Sequence, residues 1–248
     1  MFGDSITEFA FNELPPAFGK NVQFTLGAAL SNAYTRKLQV VQRGFSGYTS
    51  KHAIRLVDSM LRFEHDQRPD AEKVRIAFVF FGTNDARAKG TNPENTQHVD
   101  IDDYVSNMKN ITRKFQKRKI PLVVITPGLH NQKMWDEVYP EDLQTGDYRS
   151  CQLNLEYSDA VAKECLQMGV PVVHLYSAMS KYLSEHTGET SKDLLADGIH
   201  MSGMGYRIIY DELMRQIHQN FPEVYPDNIA TKFPPWRLIA EGTDFEEH

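Results

Sequence analysis

Two short boxes at opposite ends of the chain carry groups that perform nucleophilic chemistry when brought together. Gly3-Asp4-Ser5-Ile6-Thr7 supplies a serine, and Asp197-Gly198-Ile199-His200 supplies a carboxylate and a histidine. A serine hydroxyl is a weak nucleophile until an imidazole takes its proton, and the imidazole needs a carboxylate to hold its tautomer and orientation. The same residues also have a purely structural reading, because Ser5-x-x-Glu8 fits a helix capping box.

Acyl transfer further requires donors aimed at the oxygen that becomes negative in the tetrahedral intermediate. Ser5 opens a helix, so its own N–H is left free at the positive end of the dipole. Gly44 has no side chain and lets its backbone approach a ligand. Asn84, in Gly82-Thr83-Asn84-Asp85, offers a side-chain amide. Gly44 has an alternative as a turn residue in Arg43-Gly44-Phe45-Ser46-Gly47, and Asn84 as the closure of an Asx turn.

These groups can meet only if the fold places them at one edge. Four apolar runs, Leu38 to Gln42, Val74 to Phe81, Pro121 to Thr126 and Val170 to Leu175, are continuous rather than alternating, which suits parallel strands covered on both faces. Helical stripes lie between and after them: Tyr104, Met108, Ile111 and Phe115; Ile54, Val57 and Leu61; Tyr206, Ile209, Tyr210, Leu213 and Ile217. Strands alternating with helices predict an α/β fold, a three-layer α/β/α sandwich around a mostly parallel sheet. In such sheets ligands bind at the carboxyl ends of the strands, where Gly44 and the Gly82–Asp85 box fall. The stretches Ala86 to Asp103 and Gly128 to Asp147 read as irregular loops forming the pocket walls. Residues 1–220 read as one domain, and 221–248 as a Pro- and aromatic-rich arm that wraps its own chain, closes one side of the pocket, or packs on a second subunit as a homodimer contact.

Composition narrows the class. The chain has 248 residues, 41% hydrophobic and 24% charged, with a net charge of −6. That balance supports a sizeable core and argues against nucleic acid or an anionic membrane as partner. The basic run Arg113 to Lys119 reads as the solvated end of a helix. Cys151 and Cys165 share one helical stretch, which separates them by about 21 Å and excludes a bridge between them. There is no charged-then-apolar leader and no apolar run near ~18 residues, so a cytoplasmic protein without a membrane span is expected. There is no His-Glu-x-x-His, no Cys-x-x-Cys and no carboxylate cluster, so neither metal nor cofactor is expected. Gly203-Met204-Gly205 lacks a third glycine and reads as the start of the last helix. His52, His65, His98, His130, His174, His186 and His218 show no ligand spacing.

Taken in order, Gly3-Asp4-Ser5-Ile6-Thr7, Gln42-Arg43-Gly44-Phe45-Ser46-Gly47, Gly82-Thr83-Asn84-Asp85 and Asp197-Gly198-Ile199-His200 resemble the four blocks of the SGNH hydrolases, or GDSL-type esterases, a family with a flavodoxin-like fold. The resemblance implies Ser5 as nucleophile, His200 as base, Asp197 as its orienter, and Ser5, Gly44 and Asn84 as oxyanion donors. The stretches Phe2 to Phe11, Leu26 to Leu30, Gly47 to Ser50, Pro127 to Leu129 and Tyr157 to Ala160 are similar to the branch of that family acting on isoamyl acetate. Hydrolysis of small acyl esters, above all acetates of short or medium alcohols, is therefore expected. A carbohydrate deacetylase, a thioesterase or a non-catalytic ligand-binding module with this fold are the alternatives. Family members usually open with an apolar strand before the serine block, whereas only Met1 and Phe2 precede Gly3 here. The sequence is thus expected to start inside that strand, with roughly five to ten residues preceding it in the natural protein.

Overall fold

The central strands are buried along their whole length, which requires cover on both faces of the sheet. In a computed structural model, which describes residues 1–12 and 23–239, β1 (Phe2–Gly3), β2 (Arg43–Gly44), β3 (Ala77–Phe80), β4 (Leu122–Ile125) and β5 (Val172–Val173) form one sheet. Its order is β2-β1-β3-β4-β5, and every pairing is parallel. The helices are α1 (Ser5–Glu8), α2 (Leu26–Ala33), α3 (Ser50–Leu61), α4 (Ile101–Lys117), α5 (Gln132–Val138), α6 (Glu141–Thr145), α7 (Cys151–Gln167), α8 (Leu175–Glu185), α9 (Ser191–Leu194) and α10 (Gly203–Asn220).

Alternation along each strand sorts side chains between two cores. Phe78, Phe80, Val123 and Ile125 pack with Leu30 of α2, Met179 of α8 and Ile209 and Leu213 of α10. Ala77, Val79, Leu122 and Val124 pack on the other face with Val57 of α3, Met108 and Ile111 of α4 and Val161 of α7. This is the expected three-layer α/β/α sandwich. Tyr104, Met108, Ile111 and Phe115 are all buried, as their spacing predicts.

One strand forms later than its sequence suggests. The apolar run Leu38 to Gln42 carries no strand of its own, and β2 begins at Arg43. A strand needs a partner opposite, and β1 pairs only Phe2 with Arg43 and Gly3 with Gly44. Upstream of that register, the Met1 ammonium donates to Val41 O at 2.8 Å. A cavity of about 510 Å³ lies there, at the amino ends of the strands, lined by residues that include Met1, Val40, Arg43, Glu64 and Phe78. It is at the opposite end of the sheet from the serine and histidine boxes.

The arm folds back on its own chain as far as Phe233, whose carbonyl, like that of Lys232, accepts from Arg36. Phe221, Tyr225 and Ile229 pack on the α2–α10 core, Val224 is buried within it, and the Tyr34 hydroxyl donates to Val224 O at 2.9 Å. Lys37 Nζ donates to Pro226 O at 2.6 Å. Residues 240–248 of the arm lie outside the described residues. No helix among the described residues is long and apolar enough to cross a membrane.

The Tyr34 contact gives a direct test of this anchorage. Tyr34→Phe leaves the buried Val224 carbonyl without its donor and should lower unfolding free energy by about 1–3 kcal/mol in urea titration. An unchanged midpoint and slope would mean that the arm is held elsewhere.

Candidate active site

Chain direction and capping together aim Ser5 outward from the carboxyl edge of the sheet. β1 ends at Gly3, where an added Cβ would overlap the Thr7 side chain and Phe80 O. Asp4 then caps α1, its Oδ1 accepting from Ile6 N at 3.0 Å. Asp4, not Ser5, is therefore the capping residue. Glu8 does not complete a capping box with Ser5, because its Oε2 accepts from Ser46 N at 2.5 Å. Released from capping, Ser5 Oγ lies 2.9 Å from His200 Nε2.

The histidine is held by a short turn with its own carboxylate. His200 Nδ1 is 2.6 Å from Asp197 Oδ2, while Asp197 Oδ1 accepts from the backbone N–H of Ile199 and of His200, each at 2.9 Å. Burial pushes the Asp197 carboxyl up, but the His200 hydrogen bond, the imidazole charge and the two backbone donors outweigh it and keep the carboxyl below the ordinary carboxylate range. An ionised carboxylate only accepts, so it fixes the proton on Nδ1 and leaves the Nε2 lone pair facing Ser5. Gly198 makes the turn possible: its φ is +101°, and a Cβ there would overlap Asn131 O. Its carbonyl accepts from Asn131 N at 2.9 Å and from His130 Nδ1 at 2.8 Å, which anchors the turn to the loop after β4.

Gly44 and Asn84 reach the same edge through the neighbouring strands. Gly3 stands opposite Gly44 on one side and Phe80 on the other, so the loops leaving β1, β2 and β3 emerge together. Arg43 N donates to Met1 O and Phe45 N to Gly3 O, each at 2.9 Å, which leaves Gly44 N–H pointing away from β1. A Cβ on Gly44 would overlap the backbone of Thr7 and Glu8, so glycine is required by its close approach to α1. The Asn84 side chain bonds across loops: Nδ2 donates to Tyr48 O at 2.9 Å, and Oδ1 accepts from Arg149 Nη2 at 3.1 Å.

Two buried carboxylates sit behind these groups. Ser50 N donates to both oxygens of Asp85, at 2.9 and 3.1 Å, tying the loop after β3 to the start of α3. Burial pushes the Asp85 carboxyl up to about 7. Burial likewise pushes Asp4 up to about 7, against the Ile6 N–H that favours its charged form, and Asp4 Oδ2 has no hydrogen-bond partner among the described residues.

The two stretches expected as pocket walls are more ordered than their sequence suggests. Gly128 to Asp147, expected as an irregular stretch, carries α5 and α6, and α4 already begins at Ile101 within the other stretch. Both helices are short, seven and five residues, too brief for an apolar stripe to show. Asp147 staples the walls together by accepting from Gly90 N at 3.0 Å, Asn92 N at 3.1 Å and Asn95 Nδ2. Burial opposes its charge, but these donors and the Thr145 side chain win and hold its carboxyl far below the ordinary range. Arg87 pairs with Asp142, which also accepts from Trp135 Nε1 at 3.0 Å. His130, Asp85 and Arg149 are the site neighbours that motif reading passed over. Arg149 offered one signal, being a cation immediately before the Ser150 cap of α7, where the helix dipole disfavours positive charge.

Residues 1–208 match the model of the GDSL-like lipase/acylhydrolase family. Over 241 residues the chain is 37% identical to the isoamyl acetate-hydrolyzing esterase of Saccharomyces cerevisiae, covering 97% of this chain and 94% of that protein. It is 30% identical over 251 residues to the isoamyl acetate-hydrolyzing esterase 1 homolog of Bos taurus, covering 98% and 88%. Among solved structures, a catalytic mutant of an acetylxylan esterase from Geobacillus stearothermophilus superposes with a TM-score of 0.59 over 87% of this chain and 91% of that one. At 18% identity that likeness is one of fold.

The raised carboxyls fix a sign for stability against pH. With an unfolded value near 3.9, Asp85 keeps a proton in the folded state that the unfolded chain has released between about pH 4 and pH 7. Its ionisation therefore erodes stability as pH rises through that window, fully so above about 7. Asp85→Asn cannot ionise and keeps an acceptor for Ser50 N, so its thermal midpoint relative to wild type should climb from pH 4 to 7 and then level. A constant difference across that range would contradict the burial argument.

Proposed function

Because the chain belongs to the GDSL-like lipase/acylhydrolase family and is a carboxylic ester hydrolase of it, we propose that Ser5 is its nucleophile and that it cleaves small acyl esters, above all acetates of short or medium alcohols such as isoamyl acetate. The observation that carries this reading is the run of contacts from Ser5 Oγ to His200 Nε2 at 2.9 Å and from His200 Nδ1 to Asp197 Oδ2 at 2.6 Å. The substrate class is supported by the 37% identity to the yeast isoamyl acetate-hydrolyzing esterase.

In this mechanism Ser5 Oγ attacks the ester carbonyl carbon while its proton passes to His200 Nε2. The carbonyl oxygen becomes an oxyanion facing Ser5 N–H, Gly44 N–H and the second hydrogen of Asn84 Nδ2, whose first is taken by Tyr48 O. The C–O bond to the alcohol then breaks, and His200 returns the proton to the leaving oxygen. Water enters, His200 takes its proton, and hydroxide attacks the acyl-serine, releasing the acid and restoring the Ser5 hydroxyl. Asp197 stabilises the imidazolium formed twice in this cycle. A charged His200 lowers the pKa of the buried Asp4, so the imidazolium formed in the cycle favours ionisation of that carboxyl. Residues 1–220 form the catalytic unit in this reading, with 221–248 as its arm. A cytoplasmic location suits the free thiols of Cys151 and Cys165.

Ser5→Ala and His200→Ala should each abolish nearly all turnover with the fold intact, because nucleophile and base act as one unit. Asp197→Asn should be severe as well, since an amide favours the wrong imidazole tautomer. Retention of more than a few per cent of the rate by Ser5→Ala would overturn the assignment.

Asn84→Ala should lower kcat about 10²–10³-fold with KM nearly unchanged, because its donor strengthens only as charge develops. An effect confined to KM would remove it from the oxyanion site.

Substrate choice is tested by kcat/KM on isoamyl acetate, butyrate and octanoate beside an acetylated xylo-oligosaccharide. Highest values on the acetate of the branched alcohol support the reading, and turnover of the sugar alone would overturn it.

A further inference from the structure

Arg149 is a buried cation with no carboxylate bonded to it among the described residues. Only 5% of its surface is exposed. Its guanidinium donates instead to three neutral oxygens: Thr83 O from Nη1 at 2.5 Å, and Asn84 Oδ1 and Gln97 Oε1 from Nη2 at 3.1 and 2.9 Å. Its central carbon lies 5.5 Å from the Trp135 ring centroid, and its Nε has no partner among the described residues. Burial and the Arg87 charge push its pKa down to about 10, which still leaves it cationic at neutral pH. The charges of Asp142, Asp4 and Asp197 act on it without a hydrogen bond, and Asp142 is engaged by Arg87 and Trp135.

Desolvating an unpaired guanidinium is costly, so its retention beside a catalytic loop needs a compensating role. Its contact with Asn84 suggests one. An amide side chain can sit in either of two flipped orientations, and the partners at its two ends decide between them. Here both ends agree: a guanidinium can only donate, so it faces Oδ1, and the Tyr48 carbonyl can only accept, so it faces Nδ2. The flipped amide would set NH₂ against guanidinium and oxygen against oxygen.

We infer that Arg149 is the positioning residue of the oxyanion site, locking the Asn84 amide with Nδ2–H toward the substrate oxygen and polarising it with its positive charge. The inference rests on Asn84 being an oxyanion donor, as proposed above. A charge-assisted bond to Oδ1 draws electron density from the amide and makes its N–H groups stronger donors, and in a site shielded from water that polarisation is little screened. The same guanidinium holds Thr83 O, so the loop bearing Asn84 is fixed at two successive residues.

The test is a double-mutant cycle read in kcat and KM on an acetate ester. Arg149→Met should lower kcat about 10- to 100-fold with KM changed by less than about threefold, while Arg149→Lys, which keeps the charge but not the fork, should lose less. In an Asn84→Ala background, Arg149→Met should cost less than about threefold more, because the group through which Arg149 acts has gone. A merely structural Arg149, bracing Gln97 and Trp135, would instead give losses that multiply. Multiplying losses, an effect on KM alone or an unchanged kcat would each overturn the inference. If Arg149→Met does not fold, the same cycle is read with Arg149→Lys, and failure of both to fold would assign Arg149 to stability and overturn it too. Absence of ester turnover by the wild-type protein would instead defeat the functional reading itself.

Discussion

The hydrogen bond between Ser5 Oγ and His200 Nε2 joins groups 195 residues apart, and much of the architecture serves to keep that bond short. Closing so long a loop costs conformational entropy that one hydrogen bond cannot offset. The sheet does most of it, because β1 lies between β2 and β3 and delivers Ser5 to the carboxyl edge. From the other end, α10 is tied to the serine helix by Tyr206 OH, which donates to Ile6 O at 2.8 Å. The His200 turn is held separately, by His130 and Asn131 on Gly198 O. Serine and histidine thus come to their meeting point on different elements, each braced by the core.

Around that bond the fold buries ionisable groups where an apolar interior would be more stable. Asp4, Asp85 and Arg149 are almost fully enclosed, and none has an opposite charge bonded to it among the described residues. Each is attached to a backbone or side-chain group of a functional loop: Asp4 to the first turn of α1, Asp85 to the start of α3, Arg149 to Thr83 and Asn84. A low-dielectric surrounding strengthens every such contact and penalises any rearrangement that would break it. The cost in stability is the expected companion of a site whose donors must be in place before charge develops.

The sequence carried the fold class and the four boxes, because both depend on local signals. Continuous apolar runs mark strands covered on both sides, and Tyr104, Met108, Ile111 and Phe115 mark a helix face. Three of the boxes adjoin the ends of β1, β2 and β3, and the fourth, Asp197 to His200, was legible through the ordered resemblance of all four. What stayed hidden is tertiary. Nothing local shows that β2 starts at Arg43 and not at Leu38, since the register is set by Phe2 and Gly3 across the sheet. The capping-box pattern from Ser5 to Glu8 misleads because Asp4 competes for the same role and Glu8 is drawn away by Ser46. His130 and Arg149 belong to no motif, and their partners lie 68 and 65 residues away.

The central claim, that Ser5 is acylated during turnover, is tested most directly by trapping the intermediate. Acid quench within the first turnovers on an acetate ester, followed by digestion and mass spectrometry, should place one acetyl group on Ser5 in the wild-type protein and none in Ser5→Ala. Steady turnover with Ser5 unmodified at every quench time, together with an equally active Ser5→Ala, would contradict it.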